Sequence, residues 1–359
     1  MHIMSFEGGS LHKEGGIRIV NLSGSWYEMG RQYGNLVRPQ LEHVFAFLLE
    51  KADTPKKLED VSLIAERLYG HYPQVLRDFF RGAAETSGLT EKQLHMVNAV
   101  EYAEPAFMCS ALAAWGDYSQ GPLVYGRNYD AMSYLPIKDD LLITVFHPEG
   151  MLSALTVGYA GEIYCVNGYN ERDLFLELNN GMPSAGFDIR YDLQASTTEL
   201  LMLLFRAENM QDVDSFFRQT QSFSSIIIGV ADKQEARSYE WCTAGVQRAD
   251  GESPCGTMMQ TNHYVHPAWP YPVPDDEKSW FTLTRRCNIS ALAERYKGQI
   301  DAERMCCIMQ TPIAEGGPMF TPFTLYQLVV VPEEHKLMMR ITEGADWTEI
   351  DLREYLNIR

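Results

Sequence analysis

The sequence predicts an α+β fold of one globular unit, with two antiparallel β-sheets lying between layers of helix. Three observations predict it. Helical periodicity and capping patterns fill the first hundred residues, short apolar runs punctuated by Gly, Asn or Pro take over after Cys109, and helical and strand-like tracts then return in blocks. A parallel βαβ array would instead alternate regularly, and two independent domains would need a linker that the sequence does not offer.

The elements follow in order. A short strand is expected near residues 17–22, then about four helices up to residue 103. Ser25-x-x-Glu28 and Thr90-x-x-Gln93 are capping-box patterns, and Leu41, Val44, Phe45, Leu48 and Leu49 recur at helical spacing. Residues 109–116 and 124–130 read as strands of a hairpin turned at Gly121-Pro122. Residues 141–146, 152–157, 163–166 and 174–178 read as antiparallel strands joined by tight turns. Ser196-x-x-Glu199 is expected to cap a helix through Phe205, with another around 214–218. A hairpin at 226–230 and 236–241, helices at 283–296 and 302–309, and strands at 325–331 and 337–341 complete the chain. There are no repeats and no low-complexity segment.

Composition narrows the partners. A formal charge of −18 argues against nucleic acid and anionic lipid, which need a basic face, so a small-molecule ligand is expected. The stretch 1–16 has no signal-peptide pattern and no run reaches the ~18 apolar residues of a membrane span, so a soluble, cytoplasmic protein without a membrane partner is expected. The size leaves room for a homo-oligomer. Seven cysteines (109, 165, 242, 255, 287, 306 and 307) form an odd set without C-x-x-C or zinc-finger spacing, which speaks against a disulfide framework and a structural zinc. Six of them read as small buried hydrophobes.

Cys109 reads differently. A thiol needs a base and oxyanion stabilisation to cleave an amide. If the chain were cut before Cys109, its own α-amine, with an ordinary pKa of ~7.7 to 8.0, would be that base. Arg127 and Asp130 on the partner strand would flank it, Asp130 to orient the ammonium and Arg127 to lower the thiol pKa or bind a substrate carboxylate. Phe107, Met108, Tyr129, Met132 and Tyr134 flank this centre and could wall a pocket.

Cys109 followed by Gly126-Arg127-Asn128-Tyr129-Asp130 resembles the start of the catalytic chain in the choloylglycine hydrolase and isopenicillin-N acyltransferase-like branch of the N-terminal nucleophile (Ntn) hydrolases. Gly168-Tyr169-Asn170-Glu171 leading to Leu178-Asn179, Thr261-Asn262-His263-Tyr264 and Thr282-Leu283-Thr284-Arg285 are similar to further segments of that family, in the same order. Trp26-Tyr27-Glu28-Met29-Gly30 with Gln32-Tyr33-Gly34 resembles the N-terminal segment of the acyltransferase-like branch.

The resemblance implies an Ntn αββα sandwich made as a precursor, with residues 1–108 a helical N-terminal segment and 109–359 the catalytic chain. It implies a self-processing hydrolase or acyltransferase for a linear N-acyl amide, working through a thioester on Cys109 without metal or organic cofactor. Asn179 and Asn262 would serve the oxyanion, with Asn180 the adjacent alternative to Asn179, and Arg285 would match the family's late Arg. Two departures stand out: Met108 precedes the nucleophile where a small residue is easier to place, and Asp173 stands where the family has Gly. Two other readings compete, an uncut Cys-His hydrolase pairing Cys109 with His263, and a non-catalytic binding protein on the same fold.

Overall fold

Strand alternation assigns each side chain to a layer, and in the computed structural model it sorts the chain into four. The structure describes residues 3–103, 107–186, 188–249, 256–341 and 346–358. The chain opens with β1 (Met4–Phe6), β2 (Gly9–Glu14) and β3 (Ile17–Gly24), followed by α1 (Trp26–Leu36), α2 (Arg38–Lys51), α3 (Pro55–Gly70), α4 (Gln74–Ser87), α5 (Glu91–Asn98) and α6 (Val100–Ala103). Next come β4 (Met108–Ala114), β5 (Val124–Asp130), β6 (Leu141–Pro148), β7 (Ala154–Tyr159), β8 (Asn167–Asn170) and β9 (Phe175–Asn180). After α7 (Met182–Ala185), α8 (Ser196–Leu204) and α9 (Met210–Gln219) run β10 (Ile226–Ala231), β11 (Ala236–Cys242), β12 (Gly245–Arg248) and β13 (Thr257–Gln260). The chain closes with α10 (Thr282–Arg295), α11 (Ala302–Gln310), β14 (Thr324–Val331), β15 (Lys336–Ile341) and β16 (Thr348–Asp351).

Among the described residues the strands form a ten-stranded sheet, β1-β2-β3-β6-β7-β8-β9-β10-β11-β12, and a six-stranded sheet, β13-β4-β5-β14-β15-β16. Alternation on β8 shows how the layers stack. Asn167 points to the six-stranded sheet, where its amide donates to Tyr326 Oη, while Asn170 points the other way and donates to the carbonyls of Leu204 and Ala207 at the end of α8. The six-stranded sheet alternates likewise: Cys109, Ala111 and Ala113 face the large core between the sheets, while Leu112 and Ala114 join Ile289, Met305 and Met309 of α10 and α11 in a second core. The order is therefore helix, sheet, sheet, helix.

On the far side of the large sheet, Trp26 of α1 and Phe79 of α4 pack on Phe146 of β6. The helices α1 and α4 approach backbone to backbone: a Cβ on Gly30 would lie 2.0 Å from the Phe79 carbonyl oxygen, one on Gly34 2.4 Å from that of Ala83, and one on Gly82 2.2 Å from that of Tyr27.

Several expectations are corrected. The sheets are not wholly antiparallel, because β3 runs parallel to β6, which it reaches only after the helices α1 to α6 have crossed over. The strand expected near residues 17–22 is β3, but β1 and β2 precede it in the large sheet, and six helices rather than about four follow it up to residue 103. The run 163–166 is a buried loop; the strand is β8, just after it. On α2 the buried stripe is Leu41, Val44, Phe47 and Leu48, while Leu49 is exposed. Ser196 does not cap α8, because its hydroxyl accepts instead from Phe223 N. Among the six described cysteines, Cys287 and Cys307 are exposed. Cys307 sits about 100° around α11 from the buried Cys306 and so faces solvent. Cys255 lies outside the described residues. Among the described residues no helix is long and apolar enough to cross a membrane.

Candidate active site

The hairpin β4–β5 sets Cys109 opposite Tyr129 and Met108 opposite Asp130. Arg127 and Asp130 are an odd number of residues apart, so they project from opposite faces of the sheet. Arg127 points between the sheets, where Nη2 donates to Cys109 Sγ at 3.1 Å and to the Leu178 carbonyl at 2.7 Å. Its Nη1 donates to the Val166 carbonyl and to the Glu177 carboxylate of β9. Asp130 points to the helical side, where it accepts from Thr324 Oγ1 at 2.5 Å and lies 3.5 Å from Arg285 Nη1.

The backbone of Cys109 is held from that second side. In the β13–β4 register, Gln260 pairs with Ala111, so the ladder would next bring residue 262 to Cys109. The strand stops there and the side chain of Asn262 takes over: its Oδ1 accepts from Cys109 N at 3.1 Å and its Nδ2 donates to the Asn180 carbonyl at 2.8 Å. Arg285 completes the grip, donating to the Cys109 carbonyl at 2.6 Å and to Asn262 Oδ1 at 2.7 Å. It projects from the first turn of α10, whose start is fixed by Asp276 accepting from the Leu283 and Thr284 amides. Trp280 and Phe281, just before it, both have positive φ (53° and 56°), a strained pair beside the site.

Asn179 and Asn180 diverge as neighbours on a strand must. Asn179 Nδ2 donates to the Thr261 carbonyl at 3.2 Å, and its buried Oδ1 has no hydrogen-bond partner. Asn180 Nδ2 donates instead to the Phe107 carbonyl at 3.3 Å, and its Oδ1 accepts from Met182 N. His263 has Nδ1 engaged by Thr282 Oγ1 at 2.9 Å and Thr261 Oγ1 at 3.2 Å, while the contact on Cys109 Sγ comes from Arg127. Burial pushes its pKa down to about 4. Of the proposed pocket walls, Phe107 and Tyr129 stack on each other, whereas Met132 is exposed and Tyr134 packs on Phe47 and Tyr159.

Burial dominates the electrostatics. It pushes the Cys109 thiol up to about 12, a rise that Arg127 partly offsets, and Asp130 up to about 6 against the pull of Arg285. Glu177 is also raised by burial, with Arg127 and the Tyr125 hydroxyl opposing. Asp130 Oδ2 is buried without a hydrogen-bond donor. No three His, Cys, Asp or Glu side chains gather as metal ligands among the described residues.

The structure thus joins Cys109, Arg127, Asp130, Asn262 and Arg285 by direct contact, with Asn179 reaching the group through Thr261. Sequence reasoning missed Glu177 and Thr324, and it held Thr282 only as part of the segment leading to Arg285, not as the acceptor of the Asn262 amide. A charged residue in the apolar run Phe-Leu-Glu-Leu, two before Asn179 and so on the same face, was the available signal for Glu177. It also missed a buried pair, Glu101 of α6 and Glu162, where Glu101 accepts from the hydroxyls of Tyr129 and Tyr164 and burial raises both carboxyl pKa values. Asp173 occupies a left-handed turn (φ 60°), the conformation that Gly adopts most easily, and is held there by Tyr169, His335 and Lys233.

No protein-family model matches the chain, and no curated protein matches it significantly. Solved structures similar to it include a Caenorhabditis elegans ortholog of N-acylethanolamine-hydrolyzing acid amidase, at 18% identity over 62% of this chain and 93% of that chain, with a TM-score of 0.47. A variant of the conjugated bile acid hydrolase from Clostridium perfringens is similar at 12% identity over 68% of this chain and 93% of that one, with a TM-score of 0.49. Penicillin V acylase from Agrobacterium tumefaciens is similar at 9% identity over 68% and 87%, with a TM-score of 0.47.

Proposed function

We propose that the chain is a self-processing cysteine Ntn hydrolase of the choloylglycine hydrolase and isopenicillin-N acyltransferase-like kind, acting on a linear N-acyl amide. One observation carries this reading: Arg127 grips the thiol of Cys109 while Asn262 grips its nitrogen. Any buried backbone N–H needs an acceptor, but a thiol that serves only as a small buried hydrophobe has no use for a buried guanidinium held on its sulfur.

In self-cleavage Sγ attacks the Met108 carbonyl, the S–C bond forms as the C–N bond breaks, and the thiol proton ends on the freed Cys109 nitrogen. Water then hydrolyses the thioester. The new amine is the base for turnover, near ~8 by its ordinary value. Asp130 Oδ2, which accepts no hydrogen bond in the uncut chain and has Arg285 Nη1 3.5 Å away as its ion-pair partner, is the acceptor proposed to orient the ammonium. The amine takes the thiol proton as Sγ attacks the substrate carbonyl and returns it to the departing amine. Asn179 and Asn262 each use one of two amide hydrogens on a protein carbonyl, leaving one for the oxyanion. Water or a second amine resolves the thioester.

The roles of Arg127 narrow. Both terminal nitrogens are fully buried and engaged by protein acceptors, so holding the thiol and Glu177 is its proposed part, rather than binding a substrate carboxylate.

Intact-mass analysis tests the proposal. The purified protein should comprise two chains parted between Met108 and Cys109, and Cys109→Ala should stay single, folded and inactive on N-acyl amides. His263→Ala should keep most of its kcat; a loss of ~10³-fold, about 4 kcal/mol in barrier, together with an uncut active enzyme would favour the Cys-His reading.

A further inference from the structure

The thioester of self-cleavage and the acyl-enzyme of turnover are the same chemical species with different acyl groups. The residues that surround the chain just before Cys109 therefore outline the acyl site. Resting on the hydrolase reading above, we propose that this site takes a peptide-like acyl group, an N-acylated α-amino acid with an apolar side chain, and that Asn180 reads the carbonyl of its second amide.

In the uncut chain the acyl group is Met108, and the amide carbonyl on its nitrogen is that of Phe107. Asn180 Nδ2 donates to that carbonyl at 3.3 Å. The donor is preorganised, because Asn180 is 3% exposed, its Oδ1 accepts from Met182 N and its own carbonyl accepts from Asn262 Nδ2. Asn180 is thereby wired to the residue that holds the Cys109 nitrogen. The pocket beside it is lined mainly by apolar side chains, among them Phe107, Leu178, Met182 and Ile226, with Tyr102, Glu101 and three hydroxyl-bearing residues also on its wall. Only about 30 Å³ is open beside Phe107, so an acyl group must take the place of Phe107 rather than join it. A plain fatty acyl chain would leave the Asn180 donor buried without its acceptor, and an unpaired buried donor weakens binding.

The test compares two 4-nitroanilides that differ only in the second amide: that of N-acetyl-L-methionine and that of 4-(methylthio)butanoic acid. The acetamido substrate should show kcat/KM at least about tenfold higher. Asn180→Asp keeps the acceptor for Met182 N but loses the amide donor, so it should reduce the preference for the acetamido substrate below about threefold, chiefly through a rise in the KM of that substrate. Asn180→Ser is the second variant should the Asp chain fail to fold. Equal cleavage of both anilides by the unmutated enzyme overturns the inference and leaves the hydrolase reading standing, as does a variant that slows both equally. A protein that is cut in two but hydrolyses neither anilide also overturns the inference alone. A protein that stays one chain and hydrolyses neither overturns the hydrolase reading with it.

Discussion

At Asp130 stability and chemistry pull in opposite directions. Burial raises its pKa from an ordinary 3.8 to about 6, so the folded protein favours the protonated form more than the unfolded chain does. A raised carboxyl contributes its full stability below pH ~4 and loses it as pH climbs through about 6; the loss is about 3 kcal/mol by pH 8. Asp130→Asn mimics the protonated form. Placed in the single-chain Cys109→Ala background, it should be more stable to urea by roughly 3 kcal/mol at pH 8 and equal to its parent at pH 4. In the active enzyme the same substitution should cut kcat by ~10² for every substrate, since it removes the anion facing the ammonium. A destabilised Asn variant at pH 8 would show that the ion pair with Arg285 outweighs burial. The residues that meet at this site were legible because each sits in a short motif of polar types that an apolar strand or turn does not otherwise need. Their partners were not legible: Glu177 is 50 residues from Arg127, and only the stacking of one sheet on the other selects it.

Elements were read well where periodicity was strong and poorly at edges. The hairpin β4–β5, the hairpin β10–β11 and both closing helices fall within a residue or two of expectation. The strands missed include both ends of the large sheet, β1 and β12, and both ends of the small one, β13 and β16, together with β2 beside the edge and the four-residue interior strand β8, which was expected one run too early. An edge strand is short and half solvated, so its alternation is faint, and pairing rather than sequence makes it a strand. The contact of α1 with α4 is likewise unreadable in the sequence, although Gly30 and Gly34 stand in the segment of α1 that resembles the acyltransferase-like branch. Gly30→Ala tests it. Helix propensity alone would favour Ala by ~0.5 to 1 kcal/mol. The added Cβ would lie 2.0 Å from a backbone oxygen of α4, however, and a backbone cannot rotate away as a side chain can. The variant should therefore lose stability by about 1–3 kcal/mol in urea unfolding; a gain would mean that the helices part at little cost.

Across the whole molecule, the segment before Cys109 is part of the sheet it precedes. Strand β3 pairs with β6 over seven residues, α1 and α4 cover Phe146, and α6 buries Glu101 against Tyr129 and Tyr164. After the proposed cut, the two chains should elute together as one peak in native size-exclusion chromatography and separate into two only when urea is added. Two peaks without denaturant would show that the strand pairing does not hold the halves together. Chain 109–359 made alone should aggregate, because β6 would present a bare edge and an uncovered apolar face. The parallel pairing of β3 with β6 carries a further consequence. While the chain is continuous, the two strands are tethered and refold as a first-order event, at the effective concentration a linker provides. Severing the tether at residue 108 makes recovery second order, so dilution alone disfavours return to the native state. The mature protein would then persist by how slowly it comes apart, and each molecule would have one chance to fold.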